Sequence, residues 1–127
     1  EQKSHKRMCE YDMMNRVVCE KNFGVDNKPI SGLDTNPEGR VKYDQWGNMI
    51  EISCYDGFGK PRLSADGFFI RKTQYDKRRN IVHEEFIGTD DKLILNKSNG
   101  YARADYTYDN HGNKLEAKFF DISRISL

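Results

Sequence analysis

Tyrosine followed by aspartate recurs in this chain at Tyr11-Asp12, Tyr43-Asp44, Tyr75-Asp76 and Tyr108-Asp109. The tyrosines stand 43 − 11 = 32, 75 − 43 = 32 and 108 − 75 = 33 residues apart. A fixed period in this range constrains the fold more than any local motif, because it calls for like units that bury apolar surface against their neighbours. With each tyrosine as position 0, Asp occupies position 1, and position 4 holds Asn15, Gly47, Arg79 or Gly112. Asp at the start of a turn accepts hydrogen bonds from backbone N–H groups, and Asn or Gly at its end tolerates a left-handed backbone. Together they predict a type I turn with a glycine-type bulge, joining two antiparallel strands. Arg79 breaks the pattern. It points to a longer turn there, or to a Lys77-Arg78-Arg79 tip that carries function.

Segments rich in β-branched and aromatic residues follow each turn, at 16–23, 48–55, 80–87 and 113–120. Each of the first three meets a second turn signal, with Asn27, Gly59 or Asp91 at its left-handed position. A third signal, Ala65-Asp66-Gly67 and Ser98-Asn99-Gly100, leads into Phe68-Phe69 and Tyr101-Ala102 and back toward the next Tyr-Asp. Between the first and second copies this third element is missing, and residues 30–40 read as a surface loop. No stretch has a sustained helical period. The expected fold is all-β: an antiparallel meander of repeated β-hairpins in one domain, residues 1–127, as a single sheet or solenoid-like array. Unit cores fall near 5–29, 37–61, 67–93 and 100–127, and the last unit stops partway, as a cap or as part of a longer array. Apolar residues at consecutive positions, such as Val17-Val18 and Ile81-Val82, suggest a sheet covered on both faces, by its own coiling or by a partner.

Charge is balanced, 21 Lys and Arg against 20 Asp and Glu, which argues against nucleic acid or membrane as partner. The apolar fraction of 36% is lean, as expected of a thin sheet. No apolar run reaches the ~20 residues of a membrane-spanning helix, and no signal peptide is legible. A start at Glu1 suggests that a preceding segment was removed.

His5, His83 and His111 fall at unrelated positions of the unit, so no repeated metal site is expected. Thr89-Asp90-Asp91 lacks calcium-loop spacing, and Gly57-Phe58-Gly59-Lys60 lacks the earlier glycine of a phosphate loop. Asn96-Lys97-Ser98 is a formal glycosylation sequon. Glu20, Glu51, Glu84 and Glu116 recur, and read as solvated cross-strand partners rather than catalysts. No nucleophile–base pair recurs, so neither enzyme activity nor a cofactor is expected. The candidate ligand-binding residues are aromatic: Tyr43, Tyr75 and Tyr108 as a ladder that either forms core or receives sugar rings, and Trp46, set in a turn. A hairpin closed by Asp12 and Arg16 would place Cys9 opposite Cys19, within reach of a disulfide, the alternative being two neighbouring thiols. Cys54 is expected to stay free.

The run Tyr-Asp-x-x-Gly-Asn at Tyr43–Asn48 and Tyr108–Asn113, with Asp56-Gly57-Phe58-Gly59-Lys60-Pro61 and Gly100-Tyr101-Ala102, resembles the YD (RHS-like) repeats of bacterial secreted and surface proteins. The resemblance spans about Tyr11 to Asp121, although the unit here is longer than the typical YD repeat. It is also similar to the aromatic-glycine hairpin repeats of bacterial cell-wall-binding modules. The likeness implies a non-enzymatic binding or scaffold module, secreted or at the cell surface, with a protein or carbohydrate ligand and further repeats or a homo-oligomer as partners. A carbohydrate-recognition module of a larger enzyme and a shell fragment of a polymorphic toxin are the alternatives it raises.

Overall fold

Each Tyr-Asp pair ends one strand and begins the turn into the next. In the computed structural model, which describes residues 6–30 and 36–123, the Asp amide donates to the carbonyl four residues on. That bond is 2.9 Å from Asp12 to Arg16, Asp44 to Asn48, Asp76 to Asn80 and Asp109 to Asn113. Position 4 is left-handed every time, with φ of 63° at Asn15, 86° at Gly47, 68° at Arg79 and 84° at Gly112. The turn at Arg79 is therefore no longer than the others, contrary to the expectation from sequence. A left-handed arginine costs about 1–2 kcal/mol, and the hydrogen bond from its guanidinium to the Trp46 carbonyl, 3.1 Å, works in the other direction. The second turns carry the same device, with φ of 62° at Asn27, 80° at Gly59 and 64° at Asp91. Replacing Gly47 by Val should destabilise the protein by about 1–2 kcal/mol in urea unfolding, because a β-branched side chain resists this backbone. An unchanged midpoint would show that the turn relaxes freely.

Eight strands result: β1 Lys6–Tyr11, β2 Val17–Phe23, β3 Glu38–Tyr43, β4 Met49–Tyr55, β5 Ile70–Tyr75, β6 Ile81–Ile87, β7 Arg103–Tyr108 and β8 Lys114–Phe120. They form one antiparallel sheet in sequence order, β1 to β8. Just after each second turn the chain makes a single bridge rather than a strand: Phe23 with Pro29, Tyr55 with Pro61, and Ile87 with Leu93. The third turn closes between Ser64 and Phe68 in one unit but between Asn96 and Tyr101 in the next. That one additional residue accounts for the longer interval between Tyr75 and Tyr108.

The loop expected at 30–40 needs correction. Residues 31–35 lie outside the described part, but Glu38, Gly39 and Arg40 belong to β3, opposite Lys21, Glu20 and Cys19 of β2. The Pro37 carbonyl accepts from the Asn22 amide at 2.8 Å, as Phe69 does from Cys54 at 3.0 Å and Ala102 from Phe86 at 2.9 Å. The local sequence is poor in apolar residues, yet backbone pairing on both sides makes it strand.

A second bulge lies just beyond every Tyr-Asp turn. Tyr11 pairs with Val17 but Glu10 pairs with Cys19, so Val18 is extra; Ile50, Val82 and Leu115 occupy the same place in β4, β6 and β8. The extra residue resets the alternation of side chains, which is why apolar residues stand at consecutive positions. It also overturns the disulfide register. Cys9 pairs with Glu20 and Cys19 with Glu10, which sends the two cysteines to opposite faces of the sheet, and both are free. Thiol titration of the denatured, unreduced protein should give three free thiols per chain; a single free thiol would contradict this register.

Beyond the bulge, positions 9 and 11 share one face. There Phe86 packs on Phe68 at 5.1 Å and on Tyr101 at 5.7 Å, and Tyr101 packs on Phe119 at 4.8 Å between ring centroids. Phe68 and Tyr101 come from the third turns, so those turns lay a second row of rings over the strands. Toward β1 the same row is polar: the Asn22 amide donates to the Asn36 carbonyl at 3.0 Å, and the Asn36 amide meets Cys54 Sγ at 3.4 Å. On the other face the aromatics at position 12 lie under cations, Arg40 over Tyr55 at 3.8 Å and Arg103 over Phe120 at 3.9 Å.

Candidate functional site

The order of the strands puts all four Tyr-Asp turns along one end of the sheet. Each turn is held by its Asp. Oδ1 accepts from the amides at positions 3 and 5, at 2.9 Å from both Trp46 and Asn48 to Asp44. Oδ2 accepts from the side chain at position 5: Asn48 at 3.0 Å, Asn80 at 3.2 Å, Asn113 at 3.1 Å and Arg16 at 2.9 Å. Backbone bonds from Arg16, Asn80 and Asn113 hold Asp12, Asp76 and Asp109 below the usual carboxylate range. At Asp44 partial burial pushes the other way, but the bonds from Asn48 and Trp46 outweigh it. Both oxygens of each of these carboxylates are thus engaged within its own turn.

The tyrosines stitch one hairpin to the next. Tyr43 Oη donates to the Val17 carbonyl at 2.7 Å, Tyr75 Oη to that of Met49 at 2.9 Å, and Tyr108 Oη to that of Ile81 at 2.6 Å. Each acceptor is the residue just before the extra one, where the bulge disturbs the ladder. Their hydroxyls therefore have structural work, and of the three only the Tyr75 ring joins Trp46 in a groove.

Trp46 is different. Its backbone closes the turn while its side chain is left out, and the residue is 65% exposed. A groove of about 510 Å³ opens between the second and third turns, lined by Asp44, Trp46, Asn48, Tyr75, Lys77 and Arg79. Arg79 reaches back to the Trp46 carbonyl, and Arg78 reaches forward to that of Asn110. The basic tip thus ties three successive turns together, which its sequence alone did not show. A groove of about 500 Å³ between the third and fourth turns has Tyr106 and Tyr108 but no tryptophan.

The residue missed by sequence reasoning is Glu84. It is 6% exposed, not solvated. Its carboxylate accepts from Arg71 Nη2 at 2.8 Å, Tyr106 Oη at 2.8 Å and Tyr101 Oη at 3.2 Å. A signal was present: position 9 carries Ile52 and Ala117 in two other units, which marks it as inward-facing. Among the described residues, no group of three or more His, Cys, Asp and Glu side chains is arranged to hold a metal, and no helix is long and apolar enough to cross a membrane. Compared with known proteins, the chain matches no family model and has no significant similarity to a curated sequence.

Proposed function

We propose that this chain, which resembles YD-type repeats, is a non-enzymatic scaffold module that binds a protein or carbohydrate ligand along its row of Tyr-Asp turns. The observation that carries the reading is the exposed Trp46 indole at a groove whose other ring, Tyr75, is fixed by its hydroxyl bond to Met49. A ring already held in place loses little freedom when a ligand binds, and Asn48, Lys77 and Arg79 provide polar groups around it. The occupied Asp side chains and satisfied turns favour recognition over chemistry. A carbohydrate ligand is favoured over a protein strand because the groove lies between two turns rather than along an open strand edge. In the resembled families such modules belong to bacterial secreted or surface proteins, and that location is part of the proposal.

A glycan array probed with the wild-type protein and Trp46→Ala tests it. Binding that falls about tenfold or more in the variant, with an unchanged unfolding midpoint, supports recognition at this groove. Binding indifferent to Trp46, on glycans and on protein ligands alike, overturns it.

A further inference from the structure

Three junctions inside the sheet, β2 with β3, β4 with β5 and β6 with β7, are built to one plan. The residue at position 8 of one unit opposes position −3 of the next: Cys19 with Arg40, Glu51 with Lys72, His83 with Asp105. One residue before β3, β5 and β7 the ladder continues through a backbone bond from position 11, and the next unit's tyrosine donates to the carbonyl at position 6. β1 and β8, at the two ends of the sheet, have an outer edge unpaired among the described residues, and together they match the two halves of one more such junction.

The signs of an unfilled junction lie on both edges. Tyr11 is 57% exposed, and its hydroxyl has no partner among the described residues, whereas the hydroxyls of Tyr43, Tyr75 and Tyr108 are all bonded. Leu115 is 67% exposed, while Val18, Ile50 and Val82 at the same position are half-buried. In β2, β4 and β6 the strand centre includes buried residues; in β8 the first five residues are all exposed.

We propose that β8 of one molecule pairs with β1 of a second copy in the register of the internal junctions. Glu116 then opposes Met8, Ala117 opposes Arg7, and Lys118 opposes Lys6 of the second copy, whose Tyr11 hydroxyl donates to the Lys114 carbonyl. Charged edges often prevent such pairing. Here β3, with Glu38, Arg40 and Lys42, pairs internally while carrying as many charged residues as β1, and β5, with Arg71 and Lys72, also pairs internally. The one adverse contact is Lys118 against Lys6, where the internal junctions have Lys21 with Glu38, Ser53 with Ile70 and Glu85 with Arg103. That like-charge pair keeps the association weak and makes its register testable. The contact is heterologous, so it does not close after two copies. It stands apart from the ligand reading at the Trp46 groove.

The test is sedimentation of the whole chain over about 10 μM to 1 mM, with four variants. Wild type should associate reversibly as concentration rises. Lys118→Glu should tighten association about threefold to tenfold by facing Lys6 with an acid, and Lys6→Glu added to it should reverse the gain. Tyr11→Phe should weaken association without changing the unfolding midpoint. Ala117→Pro should abolish it: position 9 turns its N–H outward in this register, so proline there removes an edge donor and leaves the β7 ladder intact. A particle that stays monomeric throughout, including with Lys118→Glu, overturns the proposal. So does an oligomer that ignores the Lys118 and Lys6 charges, since it uses another surface.

Discussion

Phe86→Ala is expected to lower the free energy of unfolding by about 3–5 kcal/mol, the usual cost of emptying a well-packed aromatic site. Phe86 is 5% exposed and is one of the two inner rings of the row Phe68, Phe86, Tyr101 and Phe119. Two of its neighbours arrive on third turns, Phe68 from one unit and Tyr101 from the next, so removing the ring loosens both turns as well as β6. Ala104 beneath it is fully buried and too small to fill the space. Domains of this size are stable by roughly 5–15 kcal/mol, so a large part of the reserve would go. Urea unfolding followed by far-ultraviolet circular dichroism measures it. A loss under about 1 kcal/mol would mean that the ring row is not the core. Phe119→Ala should cost less, because its ring is only partly covered.

The second large effect is at Glu84. Glu84→Ala should destabilise by about 3 kcal/mol, since it leaves the partly exposed Arg71 without its carboxylate and leaves the Tyr101 and Tyr106 hydroxyls only each other as partners. Glu84→Leu should be milder than Ala in packing but retains the uncompensated guanidinium; recovery on adding Arg71→Met would show that the pair, not the volume, matters. The same cluster predicts a response to alkali. Burial pushes the Tyr101 and Tyr106 phenols up, with the Glu84 charge acting in the same direction on both. The folded state thus keeps protons that the unfolded chain releases. This contribution is complete below the ordinary tyrosine value of about 10 and is lost as pH rises above it. Wild-type stability should therefore fall above about pH 10, and the slope should flatten in Glu84→Ala, where the phenols lose their negative neighbour. An equal slope in both proteins would separate the tyrosines from Glu84.

Much of this fold was legible because turn chemistry is local. Asp at position 1 and Asn, Gly or Asp at the left-handed sites act within five residues, and all six sites read from the sequence carry positive φ. What escaped was set at a distance. The bulge at Val18, Ile50, Val82 and Leu115 leaves no mark beyond doubled apolar residues, and missing it shifts every pairing in the hairpin by one; the Cys9–Cys19 disulfide failed for that reason alone. β3 was hidden because its strand character comes from two neighbouring backbones rather than from its own side chains. Glu84 was misread because a carboxylate in a charged segment resembles any surface acid until Arg71, Tyr101 and Tyr106 are seen around it. Of the candidate site, Trp46 and Tyr75 come together at one groove and Tyr108 lines the next, while Tyr43, Tyr75 and Tyr108 all bond a neighbouring carbonyl through their hydroxyls.

The strand order has a kinetic meaning. Because every strand pairs only with those before and after it in the chain, no distant segment has to be found before a contact can form. Such a sheet can start at any hairpin and grow outward one strand at a time, like a zipper with several possible starting teeth. The starting points are unequal. The rings of Phe68, Phe86, Tyr101 and Phe119 hold the later hairpins together, while the matching row near β1 is made of Asn22, Asn36 and Cys54. Order should therefore nucleate around β5 to β8 and reach β1 last. On heating, β1 and β2 should be the first to exchange their amide hydrogens, while β6 and β7 still hold theirs.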